Sequence, residues 1–159
     1  MTAEELWERF CKESKTDEKT EYEAWAFGDD ADALAELVMT GKKTATASGY
    51  DLYFVPGEEE PLPKPGEYSV ILNSQDKAVC IIKTVKTEVM PFDEVTKEQA
   101  YKEGEGDRSL AYWRKVHEDF FVKDYADSGL VFTHKSKILC EEFELLYVAP
   151  DMIDNRKTL

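Results

Sequence analysis

The feature that most constrains the fold is a pair of β-rich segments on either side of a short turn. Residues 68–72 favour a strand, and residues 78–90 form a long second strand candidate in which apolar residues partly alternate. Residues 73–76 between them have the composition of a turn. A third β-rich stretch, residues 44–55, is interrupted by Gly49. These segments predict a β-sheet.

The last part of the chain adds two more predicted strands between residues 130 and 148. In the second of these, Phe143, Leu145 and Tyr147 recur at every other position, so we expect them to share one face. Residues 56–65 hold four of the six prolines and three consecutive glutamates, which predicts a surface loop. The sheet is therefore expected to contain five or six short strands.

Helices are predicted from hydrophobic spacing and from capping residues. The first covers residues 2–14, and the second starts at Asp30. A short helix follows over residues 96–103, and Asp107 is expected to cap a longer helix that ends near residue 125. This order predicts an α+β fold with a mostly antiparallel sheet, whose strands could close into a small β-barrel flanked by helices.

Length and cysteine content favour a single domain in a reducing compartment. The chain has 159 residues, and no apolar run approaches the roughly 20 residues of a membrane span. Its N-terminus is acidic and amphipathic, unlike a secretory signal.

Cys11, Cys80 and Cys140 are odd in number and far apart, which fits neither a disulfide framework nor a zinc site. We expect a cytoplasmic protein without membrane association, with a helix and loop over residues 1–20 and a flexible tail over residues 151–159.

The net charge narrows the classes of partner. Asp and Glu total 34 against 20 Lys and Arg, which gives a net charge of −14. A protein this acidic lacks the broad positive face that binding to duplex DNA needs. Any nucleic acid it handles is therefore expected to be a nucleoside, a short single strand or a single flipped base.

Residues 41–48 lie where the second helix ends and a strand begins. Lys43 and Thr46 are three residues apart, so their side chains could converge if the chain turns there. A lysine in a partly dry pocket loses its charge more readily than a free one, and could then take a proton from the Thr46 hydroxyl or from water. The alternative is that Lys42 and Lys43 are a solvated pair after a helix terminus.

Residues 103–107 alternate three carboxylates with two glycines. The glycines let the backbone turn tightly, so Glu103, Glu105 and Asp107 could crowd together. Crowding raises the pKa of such carboxyl groups, and one of them could stay protonated near neutrality and act as an acid. Alternating acids can also hold a divalent cation. The simplest alternative is an acidic turn in which Asp107 caps the next helix.

Aromatic residues form a third group of candidates. Tyr112, Trp113 and His117 belong to one predicted helix and could offer a planar base both stacking surface and a polar edge. The alternative is a core aromatic stripe with a packed histidine. Trp25 and Phe27 precede the second helix, and they could line a pocket or fasten that helix to the core.

Three blocks between residues 25 and 121 carry a resemblance to a known family. Gly41, Lys43 and Thr46 match the first three fixed positions of the signature Gly-x-Lys-x-x-Thr-x-Arg, and Ser48 stands where the arginine belongs. With these blocks the chain resembles the ASCH domains, and more closely their bacterial branch of about this length. The blocks are Trp-x-Phe-Gly at residues 25–28, Gly-Lys-Lys-Thr-Ala-Thr-Ala-Ser at residues 41–48, and Glu-Gly-Glu-Gly-Asp-x-Ser-Leu-x-x-Trp-Arg-x-x-His-x-x-Phe-Phe at residues 103–121.

The resemblance implies a PUA-like β-barrel with a cleft beside it that is lined by the signature residues. Some ASCH proteins are amidohydrolases that deacetylate acetylated cytidine, and their catalytic set is a lysine, a threonine and a glutamate. In this sequence the matching residues are Lys43, Thr46 and Glu103, with Glu105 as an alternative for the glutamate. Other members of the family are RNA binders or nucleases.

Three functional hypotheses follow. In the first, an amidohydrolase acts on a modified nucleoside: Lys43 activates Thr46 or a water, or stabilises the oxyanion as a cation, and a protonated Glu103 gives a proton to the departing amine. The second is a non-catalytic module that binds single-stranded RNA. The third is a metal-assisted ribonuclease that uses Glu103, Glu105 and Asp107. No cofactor is expected, and only the third hypothesis involves a metal. The residues expected to bind the ligand are Trp25, Phe27, Lys42, Ser48, Glu105, Asp107, Tyr112, Trp113 and His117.

Overall fold

Five strands form a single sheet in the computed structural model, which describes residues 1–157 and the side chains of residues 1–153. The strands are β1 (Tyr22–Ala26), β2 (Ala45–Gly49), β3 (Tyr68–Leu72), β4 (Ala78–Pro91) and β5 (Lys137–Val148). Their order in the sheet is β1-β3-β4-β5-β2. β1 runs parallel to β3, and all other neighbours are antiparallel. The predicted α+β class with a mostly antiparallel sheet is confirmed.

The first four α-helices begin at polar capping residues. The α-helices are α1 (Ala3–Ser14), α2 (Ala31–Met39), α3 (Lys97–Glu103), α4 (Leu110–Asp127) and α5 (Pro150–Lys157). The side chains of Thr2, Asp30 and Thr96 each accept a hydrogen bond of 3.1 Å from the backbone N–H three residues further on. The cap of α4 is Ser109, whereas Asp107 accepts a hydrogen bond from the N–H of Ser109. The expectation that Asp107 caps this helix is therefore wrong.

Helices α1 and α2 cover opposite faces of the central strands. On one face Leu6 of α1 packs in a core with Val70 of β3. On the other face Val38 of α2 packs in a core with Ile71, the next residue of the same strand. Successive strand residues point to opposite faces, so both sides of the sheet are buried here. This double burial explains why Ala78, Val79, Cys80, Ile81 and Ile82 are all buried instead of alternating.

A third core holds α4 against the far end of β4 and β5. It contains Trp113 and Phe121 from α4, Phe92 from the turn after β4, and Ile138 from β5. The side chain of Trp113 is 2% exposed. This core fixes the position of α4, which carries His117, relative to the sheet.

Three segments differ from the expectation. β1 was not predicted, because its burial does not alternate and its ladder is a parallel one to the distant β3. Residues 50–54 form a 3-10 helix instead of extending β2. Residues 130–136 contain no strand, so the C-terminal region supplies one strand and not two.

The predicted common face of Phe143, Leu145 and Tyr147 is also wrong. Phe143 packs in the core beneath α2, whereas Tyr147 packs against the core beneath α1. The ladder pairs Ile81 with Tyr147 and Ile82 with Leu145, which leaves Leu146 as an extra residue in β5. One extra residue reverses the alternation of every side chain beyond it, and a sequence pattern does not reveal such a bulge.

The sheet curls until its two edge strands face each other across a cleft. Residues of both β1 and β2 line this cleft, which has a volume of ≈ 680 Å³. The ladders among the described residues leave β1 and β2 unpaired with each other, so the sheet is a half-barrel that is open along one side.

The remaining segments complete the outline. Residues 56–65 lie in a loop, as predicted. α5 covers residues 151–157 of the tail that was expected to be flexible over residues 151–159, and Thr158 and Leu159 lie outside the described residues. Within the part of the chain that the structure describes, no helix is long and apolar enough to cross a membrane.

Candidate functional site

Lys43 is placed by the short connection between α2 and β2. Gly41 takes a left-handed conformation (φ 83°) that ends the helix. The backbone N–H of Lys43 then donates to the carbonyl of Leu37 at 3.0 Å, and that of Thr44 donates to the carbonyl of Lys102 at 2.7 Å. These bonds turn Lys43 inward, where it is only 2% exposed, whereas Lys42 points to solvent.

Glu103 reaches the same place from the end of α3. Gly104 follows it in a left-handed conformation (φ 75°), and a Cβ at this glycine would lie 2.5 Å from the carbonyl oxygen of Lys42. The absence of a side chain at Gly104 therefore lets the end of α3 approach the segment before β2. The approach brings together two stretches of chain that are 60 residues apart in sequence.

The Lys43 ammonium lies between two carboxylates. Its Nζ is 3.6 Å from Oε1 of Glu103 and 3.3 Å from Oε2 of Glu105. It is also 3.5 Å from the backbone carbonyl oxygen of Glu103, and it lies over the ring of Phe27 at 5.5 Å from the centroid. Lys43 is thus held in a defined position by a buried carboxylate, a partly buried one and an aromatic ring.

Glu103 is held by side chains from its own helix and from α4. Its Oε2 accepts a hydrogen bond of 2.6 Å from Nε1 of Trp113 and one of 3.1 Å from Nε2 of Gln99. Its Oε1 faces Lys43 and lies 3.3 Å from Nε2 of His117, an ion-pair contact without hydrogen-bond geometry. The carboxylate, 1% exposed, is therefore fixed on all sides.

The partners of His117 favour its imidazolium form. Its Nδ1 lies 2.8 Å from the carbonyl oxygen of Trp113, and its Nε2 faces the carboxylate of Glu103. Both neighbours are acceptors, so both ring nitrogens are best matched as N–H donors. Burial lowers the pKa of His117, but its contact with Glu103 outweighs this and raises the pKa above 6.5.

The same contacts correct the expected protonation state of Glu103. Burial alone would raise the pKa of this carboxyl, but the contact with His117 and the charge of Lys43 outweigh burial and hold the pKa below 4.5. Glu103 is therefore an ionised carboxylate near neutral pH and not the protonated acid expected from crowded carboxyl groups. The crowding is also smaller than expected, because Asp107 is exposed.

Lys43, Thr46 and Glu103 line one small inner pocket of ≈ 70 Å³, together with Glu105 and His117. This pocket adjoins the large cleft between the edge strands. Five residues line both spaces: Phe27, Gly28, Thr46, Ala47 and Phe120. Thr46 thus stands where the inner pocket meets the cleft.

The walls of the cleft are partly aromatic. Trp25 and Phe27 pack edge to face with ring centroids 4.9 Å apart, and both line the cleft. On the opposite side, Oγ of Ser48 lies 2.9 Å from the hydroxyl of Tyr53. Burial raises the pKa of Tyr53 to about 12. Aromatic walls with a few hydroxyl groups suit a flat, largely uncharged ligand.

The charged residues of the cleft are all acidic. Among the described residues that line it, none is Lys, Arg or His. Such a lining repels phosphate groups and is compatible with neutral or cationic ligands. The acidic residues are Glu23, Glu60, Glu67, Asp124 and Glu141.

Four of the predicted site residues have other positions or environments. Lys42, Asp107 and Tyr112 do not line the inner pocket or the cleft among the described residues. Trp113 is buried in the third core, where its indole N–H holds Glu103, so it offers no stacking surface to a ligand.

Sequence reasoning missed three residues of the site. Gln99 is not among the predicted site residues, yet its side chain amide donates both to Glu103 and to the backbone carbonyl of Thr46, the latter at 3.2 Å. Phe120 is not among the predicted site residues either, yet it lines both the inner pocket and the cleft. Glu141 lies in β5, and whether its side chain faces the cleft depends on the pairing register of this strand with its neighbours. The sequence carries no signal for these three roles.

Glu103, Glu105 and His117 form a group of metal-ligand type, with ligand atoms within 4.8 Å of one another. The Lys43 ammonium lies within 3.6 Å of both carboxylates of this group. A cationic side chain therefore already compensates the charge that a metal ion would neutralise.

Comparisons with known proteins agree with the fold of the chain. The family model of the ASCH domain matches residues 23–147. The crystal structure of protein EF3133 from Enterococcus faecalis is 34% identical with a TM-score of 0.84, and the alignment covers 95% of this chain and 91% of that one. The ASCH domain from Lactobacillus crispatus is 28% identical with a TM-score of 0.81, covering 89% and 92%. A comparison with curated proteins gives no match.

Proposed function

Because the chain belongs to the ASCH domain family, we propose that it is an amidohydrolase that removes a small acyl group from the amine of a modified nucleoside, such as acetylated cytidine. The observation that carries this proposal is the inner pocket. A buried ammonium, a hydroxyl and a carboxylate, from Lys43, Thr46 and Glu103, line one space that adjoins a cleft large enough for a nucleoside.

The charges support a specific division of roles. Lys43, held between Glu103 and Glu105, is suited to stabilise the oxyanion that develops when the acyl carbon is attacked. Thr46 supplies the attacking hydroxyl or holds the attacking water. Glu103 acts as a positioning residue that keeps the ammonium in place, and not as the acid considered from sequence.

The cleft supports a nucleoside as the substrate. Trp25, Phe27 and Phe120 offer aromatic surface for a flat base. The acidic lining favours a substrate without phosphate groups.

The alternative function, RNA binding without catalysis, is favoured by a different surface. Lys97, Lys102 and Arg108 line an open pocket of ≈ 410 Å³, and the guanidinium of Arg108 lies 3.7 Å from the ring centroid of Tyr101. Basic and aromatic groups of this kind suit a single strand. Binding of a short RNA at low salt that is lost in Arg108→Ala would support this function, and no binding at any salt concentration would exclude it.

The amidohydrolase proposal is tested with matched pairs of variants. Release of acetate from acetylated cytidine is measured for the native chain, Thr46→Val and Lys43→Met. Loss of a nucleophile or of an oxyanion-stabilising donor lowers kcat/KM by at least about 100-fold. The controls are the exposed neighbours, Thr44→Val and Lys42→Ala, which we expect to retain native activity. Equal background rates for the native chain and both site variants would refute the proposal.

A further inference from the structure

The proposed reaction needs a group that first accepts a proton and then donates one. Glu103 does not suit this role, because its Oε2 accepts hydrogen bonds from Trp113 and Gln99 and its Oε1 faces the two cationic partners Lys43 and His117. We propose that Glu141 carries the proton, taking it from the attacking oxygen and giving it to the departing nitrogen. This inference rests on the proposed function and adds a residue outside the sequence motifs.

The strand ladder places Glu141 beside Thr46. The two residues are direct partners in the antiparallel pairing of β2 with β5. Directly opposed residues project from the same face of a sheet, with Cβ atoms about 5 Å apart. Both residues also line the cleft, and Thr46 lines the inner pocket as well. Glu141 is therefore the carboxyl group paired across the strands with the proposed nucleophile.

The surroundings of Glu141 are dry and acidic. The residue is 8% exposed, and Thr84 of β4 gives it a hydrogen bond. Burial and the charge of Glu67 raise its pKa to about 7, with a smaller contribution from Glu23, although the bond from Thr84 acts in the opposite direction. The other titratable groups that line the cleft are Tyr53, Glu60 and Asp124. A carboxyl group in this environment exchanges its proton near neutral pH.

Glu141 accounts for every proton that moves during cleavage of the amide. The attacking oxygen forms a bond to the acyl carbon, and its proton passes to the Glu141 carboxylate. The C–N bond then breaks with its electron pair on nitrogen, and Glu141 returns the proton there. When Thr46 is the attacking group, water cleaves the acyl ester, and its proton passes through Glu141 to the Thr46 oxygen.

The test compares Glu141→Gln with Glu142→Gln over a range of pH, using acetate release from acetylated cytidine by the full chain. We expect kcat/KM of the native chain to rise with pH through about 7, the pKa of Glu141. Glu141→Gln should lower kcat/KM by at least about 100-fold and should abolish the rise near this pH. Glu142, which pairs with Lys102 outside the cleft, should be replaceable without effect on either quantity.

A stability measurement shows that Glu141→Gln is folded and tests the titration separately. The pKa of Glu141 is raised from 4.5 to about 7 in the fold, so the native chain should lose more stability than Glu141→Gln as the pH rises between these values. If Lys43→Met is inactive but Glu141→Gln keeps native activity and pH profile, this inference is wrong and the proposed function stands. If the native chain itself shows only background hydrolysis, both this inference and the proposed function are wrong.

Discussion

Burial of Lys43, Glu103 and His117 couples the charges of the candidate site to the stability of the fold. A buried charge is tolerated only while its partners are in place, and removal of one partner leaves the others unpaired in a dry environment. Glu103 is the common partner of the two cations. Loss of the Glu103 charge therefore affects both Lys43 and His117.

We expect Glu103→Gln to destabilise the protein by about 3 kcal/mol, because it leaves Lys43 and His117 without their shared counter-ion. The pKa of Glu103 is held below 4.5 and that of His117 is raised above 6.5. The ion pair is lost as the pH falls through the lowered pKa of Glu103, below 4.5, and as it rises through the raised pKa of His117, above 6.5. The free energy of unfolding in urea should thus differ most between native and variant proteins from pH 4.5 to 6.5.

The control for this prediction is Glu142→Gln. Glu142 forms a partly exposed ion pair with Lys102 at 2.7 Å, and such pairs contribute less than about 1 kcal/mol. Equal losses for Glu103→Gln and Glu142→Gln would show that the buried charges do not depend on Glu103.

At the level of single residues, the motifs selected three side chains that lie together, but not the contacts that hold them. Lys43, Thr46 and Glu103 were selected by motif, and they line one pocket. Trp113 and His117 were selected as surfaces for a base, but they hold Glu103 from within the core. A sequence shows that a side chain is aromatic and lies on a helix, but which neighbour receives its N–H depends on contacts between distant segments.

At the level of elements, the site depends on the contact between the end of α3 and the segment before β2. Gly104 makes this contact possible, because an added Cβ would meet the backbone of Lys42. Gly129 has the same φ of 75° at the end of α4, but a Cβ there would have no neighbour within 4 Å. Comparing substitutions at these two glycines therefore separates the cost of a left-handed backbone conformation from the cost of blocking the close approach.

We expect Gly104→Ala to destabilise the protein more than Gly129→Ala. Both changes carry the strain of a left-handed non-glycine residue, about 1–2 kcal/mol. Only Gly104→Ala also forces α3 away from Lys42, which should reduce amide hydrolysis as well. Unfolding in urea and the acetate-release assay measure the two effects. Equal stability and activity of the two variants would show that the close approach is not needed.

Elements defined by local signals were predicted well, and those defined by distant pairing were not. The caps Thr2, Asp30 and Thr96 lie within three residues of the N–H groups they bind, so their helices were found nearly to the residue. β1 exists because it pairs with β3, whose partner residues are 46 positions further along the chain (Tyr22 with Tyr68). The extra residue Leu146 is likewise defined only by its partner strand.

At the level of the whole molecule, the net charge of −14 and the acidic cleft act in the same direction. Both repel an anionic ligand before it reaches the inner pocket. The repulsion is long-range and is screened by salt, with a Debye length of about 30 Å at 0.01 M and about 8 Å at 0.15 M.

We therefore expect the 5′-monophosphate of acetylated cytidine to be a poorer substrate than the nucleoside, by at least about tenfold in kcat/KM at 0.01 M salt. The difference should shrink as salt is added. Glu67→Gln, in the cleft, should reduce the difference more than Glu144→Gln, on the exposed side of β5. Equal kcat/KM values for the two substrates at low salt would show that the acidic lining does not discriminate between the nucleoside and its monophosphate.

The two register shifts in the β4–β5 ladder, at Ile81/Ile82 and Thr84/Lys86, lie in the strands that form the back of the cleft. Bulges bend the strand that carries them and increase its twist, so these shifts help to set how far apart the edge strands stand. The width of the cleft can thus change while the side chains of the candidate site stay the same. We expect that gain or loss of a single residue in β4 or β5 changes the size of the ligand that the cleft accepts, while Lys43, Thr46 and Glu103 stay in place.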